Sequence, residues 1–277
     1  MIQRVSIHGG HSGQFCSHAQ DTLEEIIEQY LAQGFTWVGI TEHMPPTTRQ
    51  NMNLEEKEEG LTVEEMDRRF AAYMAEARRL QLKYKDRLEI FVAFETEAFP
   101  GAMDKALVLR DQYSPDYVLG SVHHLDEISF DANPDLYQQA VRAAGGLEAL
   151  YCRYFDLQYD LIQRIQPRVV GHFDIIRIFD PDYADRLALP SVRERIQRNL
   201  ALIRKMDLIL DYNVAAIRKG AGEPYISRPI LVQARDMGIA VVPSDDSHGI
   251  ETAGAHIDEG IRILSELGFD TEWRRPV

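Results

Sequence analysis

Three histidines, His8, His11 and His18, fall within the stretch Ser6-Ile-His-Gly-Gly-His-Ser-Gly-Gln-Phe-Cys-Ser-His18. The apolar run Val5 to Ile7 leads into them, and Gly9 and Gly10 let the backbone turn tightly between the first two imidazoles. Imidazoles at this density suit divalent ions of the Zn, Fe or Mn kind. Further along, His43, His123, His124, His172 and His248 each stand just past an apolar run with strand character, and Glu95 and Asp246 hold equivalent places. Of the nine histidines only His256 lies away from such a position. If these donors share one site, they exceed the four ligands zinc usually takes, which points to two or three ions with a carboxylate between them. In such clusters a hydroxide held between metals is the nucleophile, and the ions neutralise phosphoryl oxygens. No serine or cysteine nucleophile is needed, and Cys16 reads as a packed free thiol.

Such donors need a scaffold that gathers many strand ends on one face. Thr22-Leu-Glu-Glu25 and Thr62-Val-Glu-Glu65 fit capping boxes that open helices. Helical spacing continues through Leu23, Ile26, Ile27, Tyr30 and Leu31, and through Met66, Phe70, Tyr73, Ala77 and Leu80. Strands are expected at Val5 to Ile7, Trp37 to Thr41, Leu88 to Phe94, Tyr117 to Ser121, Arg168 to Gly171, Leu208 to Tyr212 and Ile239 to Pro243. Helices are expected over 102–112, 136–144, 147–165, 192–206, 230–237 and 254–267. The segment Met44 to Gly60, with its prolines and the run Glu55-Glu-Lys-Glu-Glu59, reads as a long surface loop, either plainly solvated or a lid. Strict alternation of strand and helix favours an α/β fold with a parallel sheet. Seven units at this length favour closure into a (β/α)7 barrel, with an open doubly wound sheet as the alternative. No linker, repeat or composition break divides residues 1–277, so one domain is expected.

Composition bounds the function classes. A formal net charge of -14 argues against a nucleic-acid partner, which would want a basic surface, while leaving room for a local anion pocket. Two cysteines make no disulfide framework and fit a reducing cytoplasm. No basic segment followed by an apolar stretch opens the chain, and no apolar run reaches membrane-spanning length, so no membrane partner is expected.

Taken in order, HGGHSGQFCSHA, TEH, FETE, GSVHH, GHFD and SDDSH resemble the motif set of the PHP (polymerase and histidinol phosphatase) superfamily across nearly the whole chain. The runs GHFDIIR and NVAAIRKGAGEPYIS are most similar to its histidinol-phosphate phosphatases. The resemblance implies a distorted seven-stranded, TIM-like barrel with a trinuclear site and a small phosphorylated substrate, L-histidinol phosphate. Carried over by motif, one ion would take His8, His11, Glu95 and Asp246, a second His18, His43 and His248, and a third Glu95, His123 and His172. The family usually opens H-x-H. Here His8-Gly-Gly-His11 is one residue longer, and the extra glycine would loop out as a bulge. Glu97 and Asp245 would point away from the ions, and His124 would be structural or support a ligand. Arg177 and Arg218, in outgoing loops, are candidates to clamp the phosphate, with Lys219 a third. Tyr225 and His256 read as structural, and Glu223 or Asp174 are candidates for the substrate's ammonium. Other readings are a PHP phosphoesterase for a nucleotide or another small phosphomonoester, and a non-catalytic metal-bound PHP module. Oligomeric state is left open.

Overall fold

The computed structural model describes residues 3–277. Runs of β-branched and aromatic residues form its strands. In chain order these are β1 (Arg4–Ser6), β2 (Phe35–His43), β3 (Glu89–Glu95), β4 (Tyr117–Gly120), β5 (His124–Leu125), β6 (Ile128–Ser129), β7 (Val169–Val170), β8 (Ile209–Asn213) and β9 (Ala240–Ser244). Seven of them pair in parallel in the order β1-β2-β3-β4-β7-β8-β9, while β5 and β6 make a separate antiparallel hairpin. That order never reverses, as it would in a doubly wound sheet. Ile7 N, just past β1, donates to Pro243 O in β9 (3.2 Å), and Asp246 N, just past β9, donates to His8 O (2.9 Å). First and last strands thus meet, and the sheet is a nearly closed barrel.

The helices wrap outside it. Thr22 and Thr62 each accept from the backbone three residues on, with Glu25 and Glu65 returning the bond, so the two capping boxes read from sequence are present. Inside the barrel the Tyr117 hydroxyl donates to Ile7 O. That crossing needs Gly39 on β2, because a Cβ there would lie 1.9 Å from the Tyr117 hydroxyl. Pairing of β2 with β3 sets His43 beside Glu95 in register. Sheet geometry alone therefore brings two proposed ligands from distant sequence positions to one end of the barrel.

All seven expected strands are present. Short helices also form at Tyr183–Ala188 and at Ala215–Arg218, the latter where an outgoing loop is expected. Three further differences bear on the site. The strand at Val169–Val170 is shorter than its apolar run, because His172 and Asp174 already turn toward their partners. The strand ending near His123 stops at Gly120, and His124 begins the hairpin. The segment 44–60 is folded: it holds a 3₁₀ turn (Arg49–Asn51) and a helix (Leu54–Glu58) with an Asn53–Glu56 capping box. Among the described residues, no helix is long and apolar enough to cross a membrane.

Candidate metal centre

Glu95, at the end of β3, is almost fully buried and lies between two sets of imidazoles. Its Oε2 faces His43 Nδ1 (3.0 Å), His8 Nε2 (3.4 Å) and His11 Nε2 (4.0 Å). Its Oε1 faces His172 Nε2 (2.9 Å) and His123 Nε2 (3.4 Å). Asp246 adds a carboxylate on the far side, 3.6 Å from His8 Nε2 and 3.5 Å from His11 Nε2. The left-handed turn at Gly10 (φ 78°) is how the longer His8-Gly-Gly-His11 spacing still returns His11 to the group. A Cβ at Gly10 would also stand 2.6 Å from Ile40 Cδ1. His18, His43 and His248 form a third grouping at the rim, with His18 stacked on His248 at 5.0 Å. Cys16 is free and buried as expected, yet its Sγ joins this group, 3.4 Å from both ring nitrogens of His18.

The donors fit divalent ions. Buried Nε2 atoms of His8 and His11, and both ring nitrogens of His43, lack a well-aligned hydrogen-bond partner. Each unpartnered buried group costs roughly 1–3 kcal/mol, which ligation to an ion removes. Charge tells the same story. Burial alone would keep His8 neutral, but Glu95, Asp246 and Asp211 override it and raise its pKa. Burial is likewise outweighed at His43 by Glu95, giving about 9, and at His123 by Glu97 and Glu95, giving about 10. Glu95 and Asp246 are held well below the usual carboxylate range, the imidazoles beside them more than offsetting their burial. His11, His18 and His248 go the other way, lowered by burial and by neighbouring imidazoles, His18 to about 4. Without ions the anionic cluster gathers protons; divalent cations match it better.

A second layer orients these rings, and three of its members were not singled out from sequence. Asp211, in β8, lies 3.0 Å from His8 Nδ1 and accepts from His172 N (3.1 Å) and the Ser244 hydroxyl. Glu42 lies 3.3 Å from His11 Nδ1, and Asn213 donates to Asp246 Oδ2 (3.2 Å). Their one sequence signal is polarity inside apolar strands, at Thr41-Glu42 and in Leu210-Asp-Tyr-Asn213. Glu97 corrects an expectation. Its carboxylate faces His123, as that of Glu95 does two residues earlier, with Oε1 2.8 Å from His123 Nδ1 and Oε2 3.1 Å from His124 Nδ1. Asp245 does point away, accepting from the Ser6 hydroxyl (2.6 Å) and the Tyr30 hydroxyl (2.8 Å). His256 pairs with Glu259 outside the site.

The arginines divide. Arg218 lines the cavity above the cluster with Lys219, and its guanidinium donates to the carbonyls of Asp245 (3.2 Å) and Asp246 (3.1 Å). Arg177 does not reach that cavity. Its guanidinium is stacked between the rings of Tyr183 (4.8 Å) and Tyr225 (4.7 Å), pairs with Asp174 (3.3 Å), and donates to the carbonyls of Glu223 and Pro224. Asp174 is fully buried and also accepts from Ser227 N (2.9 Å). Glu223 takes the Tyr183 hydroxyl (2.6 Å) and Arg228 N. None of these groups lines the cavity; together they pin the 223–227 loop, whose Tyr225 ring lies 6.4 Å from that of His172.

The cavity itself is about 430 Å³, ample for a small ligand. The cluster is its floor, and the folded 44–60 segment walls it through Gln50, Met52 and Leu54. That segment is therefore a wall of the site rather than a plain solvated loop.

Comparison with known proteins adds an independent line. Residues 9–215 match the model of the PHP domain. A Schizosaccharomyces pombe protein named probable histidinol-phosphatase is 39% identical over 269 residues, covering 96% of this chain and 87% of its own. A solved chain from Listeria monocytogenes superposes with a TM-score of 0.81 at 24% identity, over 92% of this chain and 99% of that one. A Lactococcus lactis histidinol phosphate phosphatase, solved with zinc, L-histidinol and phosphate, superposes with a TM-score of 0.72 at 18% identity, over 98% and 95% of the two chains.

Proposed function

The chain belongs to the PHP domain family, and on that premise we propose that it is a metal-dependent phosphatase. It hydrolyses L-histidinol phosphate to L-histidinol and phosphate, as a cytoplasmic step of histidine biosynthesis, with the whole chain acting as one phosphoesterase domain. The observation that carries this reading is Glu95 between two sets of imidazoles, on the floor of a cavity that also bears Arg218 and Lys219. The names of the fission-yeast relative and of the Lactococcus enzyme, with the ligands that enzyme holds, support the choice of substrate.

We assign His8, His11, Glu95 and Asp246 to one ion, His18, His43 and His248 to a second, and Glu95, His123 and His172 to a third. When bound, divalent ions supply Lewis acidity, drawing charge from phosphoryl oxygens and acidifying water. The chain's own groups do the rest. Asp211, Glu42 and Glu97 hold the Nδ1 edges of His8, His11 and His123, so each ring offers Nε2 to the site. Arg218, on the cavity wall, presents a guanidinium to the oxygens that gain charge during transfer. The 44–60 segment covers one side of the cavity and so reduces the water that reaches it.

Metal-replete protein should release phosphate from histidinol phosphate far faster than from a nucleoside monophosphate or a plain alkyl phosphate. Equal or better turnover of the nucleotide would move the assignment to another PHP phosphoesterase, and no turnover of any ester would leave a metal-bound module. Ion loading gives a second check. His43 (about 9) and His123 (about 10) carry protons at pH 8 in the ion-free protein, and His8 is raised as well. Ligation needs neutral rings, so loading at pH 8 should release about two or more protons per chain, and fewer above pH 10. Titration calorimetry in two buffers of different ionisation enthalpy measures this; identical heats in both would contradict it.

A further inference from the structure

The hydrolysis reading leaves open what distinguishes this substrate from other phosphomonoesters. Beside the ester, L-histidinol phosphate carries an ammonium on the carbon β to the ester oxygen, and then an imidazole. With the phosphoryl group at the ions, the ammonium must fall just beyond them, in the same cavity. Neither carboxylate expected from sequence lines that cavity: Asp174 is fully buried with its Oδ2 toward Arg177 and Ser227 N, and Glu223 is taken by the Tyr183 hydroxyl and Arg228 N.

Six carboxylates do line the cavity, and five are excluded on their own contacts. Glu95 and Asp246 face the cluster's imidazoles, and Glu97 holds His123 and His124. Glu127 is exposed at the hairpin turn and is taken by the Gln50 amide (2.5 Å), and Glu55 is exposed on the short wall helix. Asp131 remains. It is half-buried, and its one side-chain partner is the neutral Ser129 hydroxyl at 3.3 Å. Among the described residues no lysine, arginine or histidine pairs with it.

Its position follows from the hairpin. β5 and β6 pair His124 with Ser129, and Phe130 N donates to His123 O (3.1 Å), so the chain folds residues 129–131 back beside His123. The carboxylate's field reaches inward as well. It adds to the burial that raises Tyr154 and Tyr225, and, against the burial that lowers His123, it adds to Glu97 and Glu95 in favouring that ring's charged form. Asp131 is thus an unpaired anion on the cavity wall next to the proposed third ion position, with the cationic Arg218 and Lys219 lining the same cavity. Leu136 and Ile175 give that wall apolar surface for a ring.

We propose, resting on the histidinol phosphate reading, that Asp131 pairs with the substrate's ammonium and selects phosphomonoesters bearing a cationic nitrogen β to the ester oxygen. The pair has no other cation to displace and forms in a cavity partly closed to water, where a charge-assisted hydrogen bond retains much of its strength.

The test is kcat/KM of metal-replete wild type, Asp131→Asn and Asp131→Ser, on histidinol phosphate and on 3-(imidazol-4-yl)propyl phosphate, which lacks only the amino group. Wild type should prefer the amine, and both variants should lose roughly tenfold to a hundredfold on it while keeping their rate on the deamino ester. Metal content and Tm, measured in parallel, should match wild type. A preference that survives both substitutions would overturn the proposal and leave the phosphatase reading standing. So would an equal loss on both esters, which would mark Asp131 as a support for His123. Failure of wild type to hydrolyse histidinol phosphate would instead remove the reading itself, and the proposal with it.

Discussion

Replacing Glu95 by Gln should remove bound metal and activity together, with kcat/KM falling about a thousandfold (~4 kcal/mol). Its two oxygens face different imidazole sets, so it contributes to two of the three proposed ion positions at once. The amide keeps the volume and loses the charge. His8 and His43 then face one anion fewer, and their affinity for protons and for cations drops in parallel. Glu97→Gln should do less, because Glu97 orients His123 and His124 through their Nδ1 edges and faces no cluster nitrogen but theirs. Losing an orienting partner of this kind costs roughly tenfold to a hundredfold. Elemental analysis of chelator-free preparations, run beside phosphate release, checks both. Full metal content in Glu95→Gln would show that Asp246 and the histidines suffice, and a larger defect in Glu97→Gln would mean the ligand register is wrong.

Those two glutamates mark where sequence reasoning stopped. The barrel was legible because each strand is a short apolar run ended by a polar turn, and because β2 and β3 continue that pattern as far as His43 and Glu95. The extra glycine was legible as an irregularity in the spacing, but the left-handed turn at Gly10 that returns His11 to the group was not. Side-chain direction past a strand end was misjudged. Glu97 faces His123 as Glu95 does, the same-side result that period 2 gives, whereas the motif match alone sets it pointing away. Asp211 and Glu42 sit inside apolar strands, and the rings they orient, His8 and His11, are far away along the chain. Arg177 was misread for a related cause. Its run, Asp174-Ile-Ile-Arg177, looks like a ligand-facing loop, yet Tyr183 and Tyr225 flank the guanidinium and the buried Asp174 claims it.

Arg218→Ala should cost roughly a hundredfold in kcat/KM, on the order of 3 kcal/mol, with metal content unchanged. Arg218 is half-exposed on the cavity wall, held by two backbone carbonyls at the turn that presents Asp246. Those bonds occupy two N–H groups and leave the remaining donors of the fork for phosphoryl oxygens. Because charge on those oxygens shifts during transfer, the loss should fall mainly on kcat, and Arg218→Lys should recover part of it through charge without the fork. Arg177→Ala should behave differently. It strips the partner from the fully buried Asp174 and unstacks two tyrosines, a change worth about 3–5 kcal/mol of stability, so Tm should fall before any specific kinetic defect is resolved. Metal analysis separates the two ways Arg218 could matter. If Arg218→Ala loses ions in proportion to rate, the residue's task is to hold the Asp246 turn, whereas full occupancy with a slow kcat assigns it to the phosphoryl group. Wild-type kinetics in Arg218→Ala would remove it from the reaction and leave Lys219 as the remaining cation on that wall.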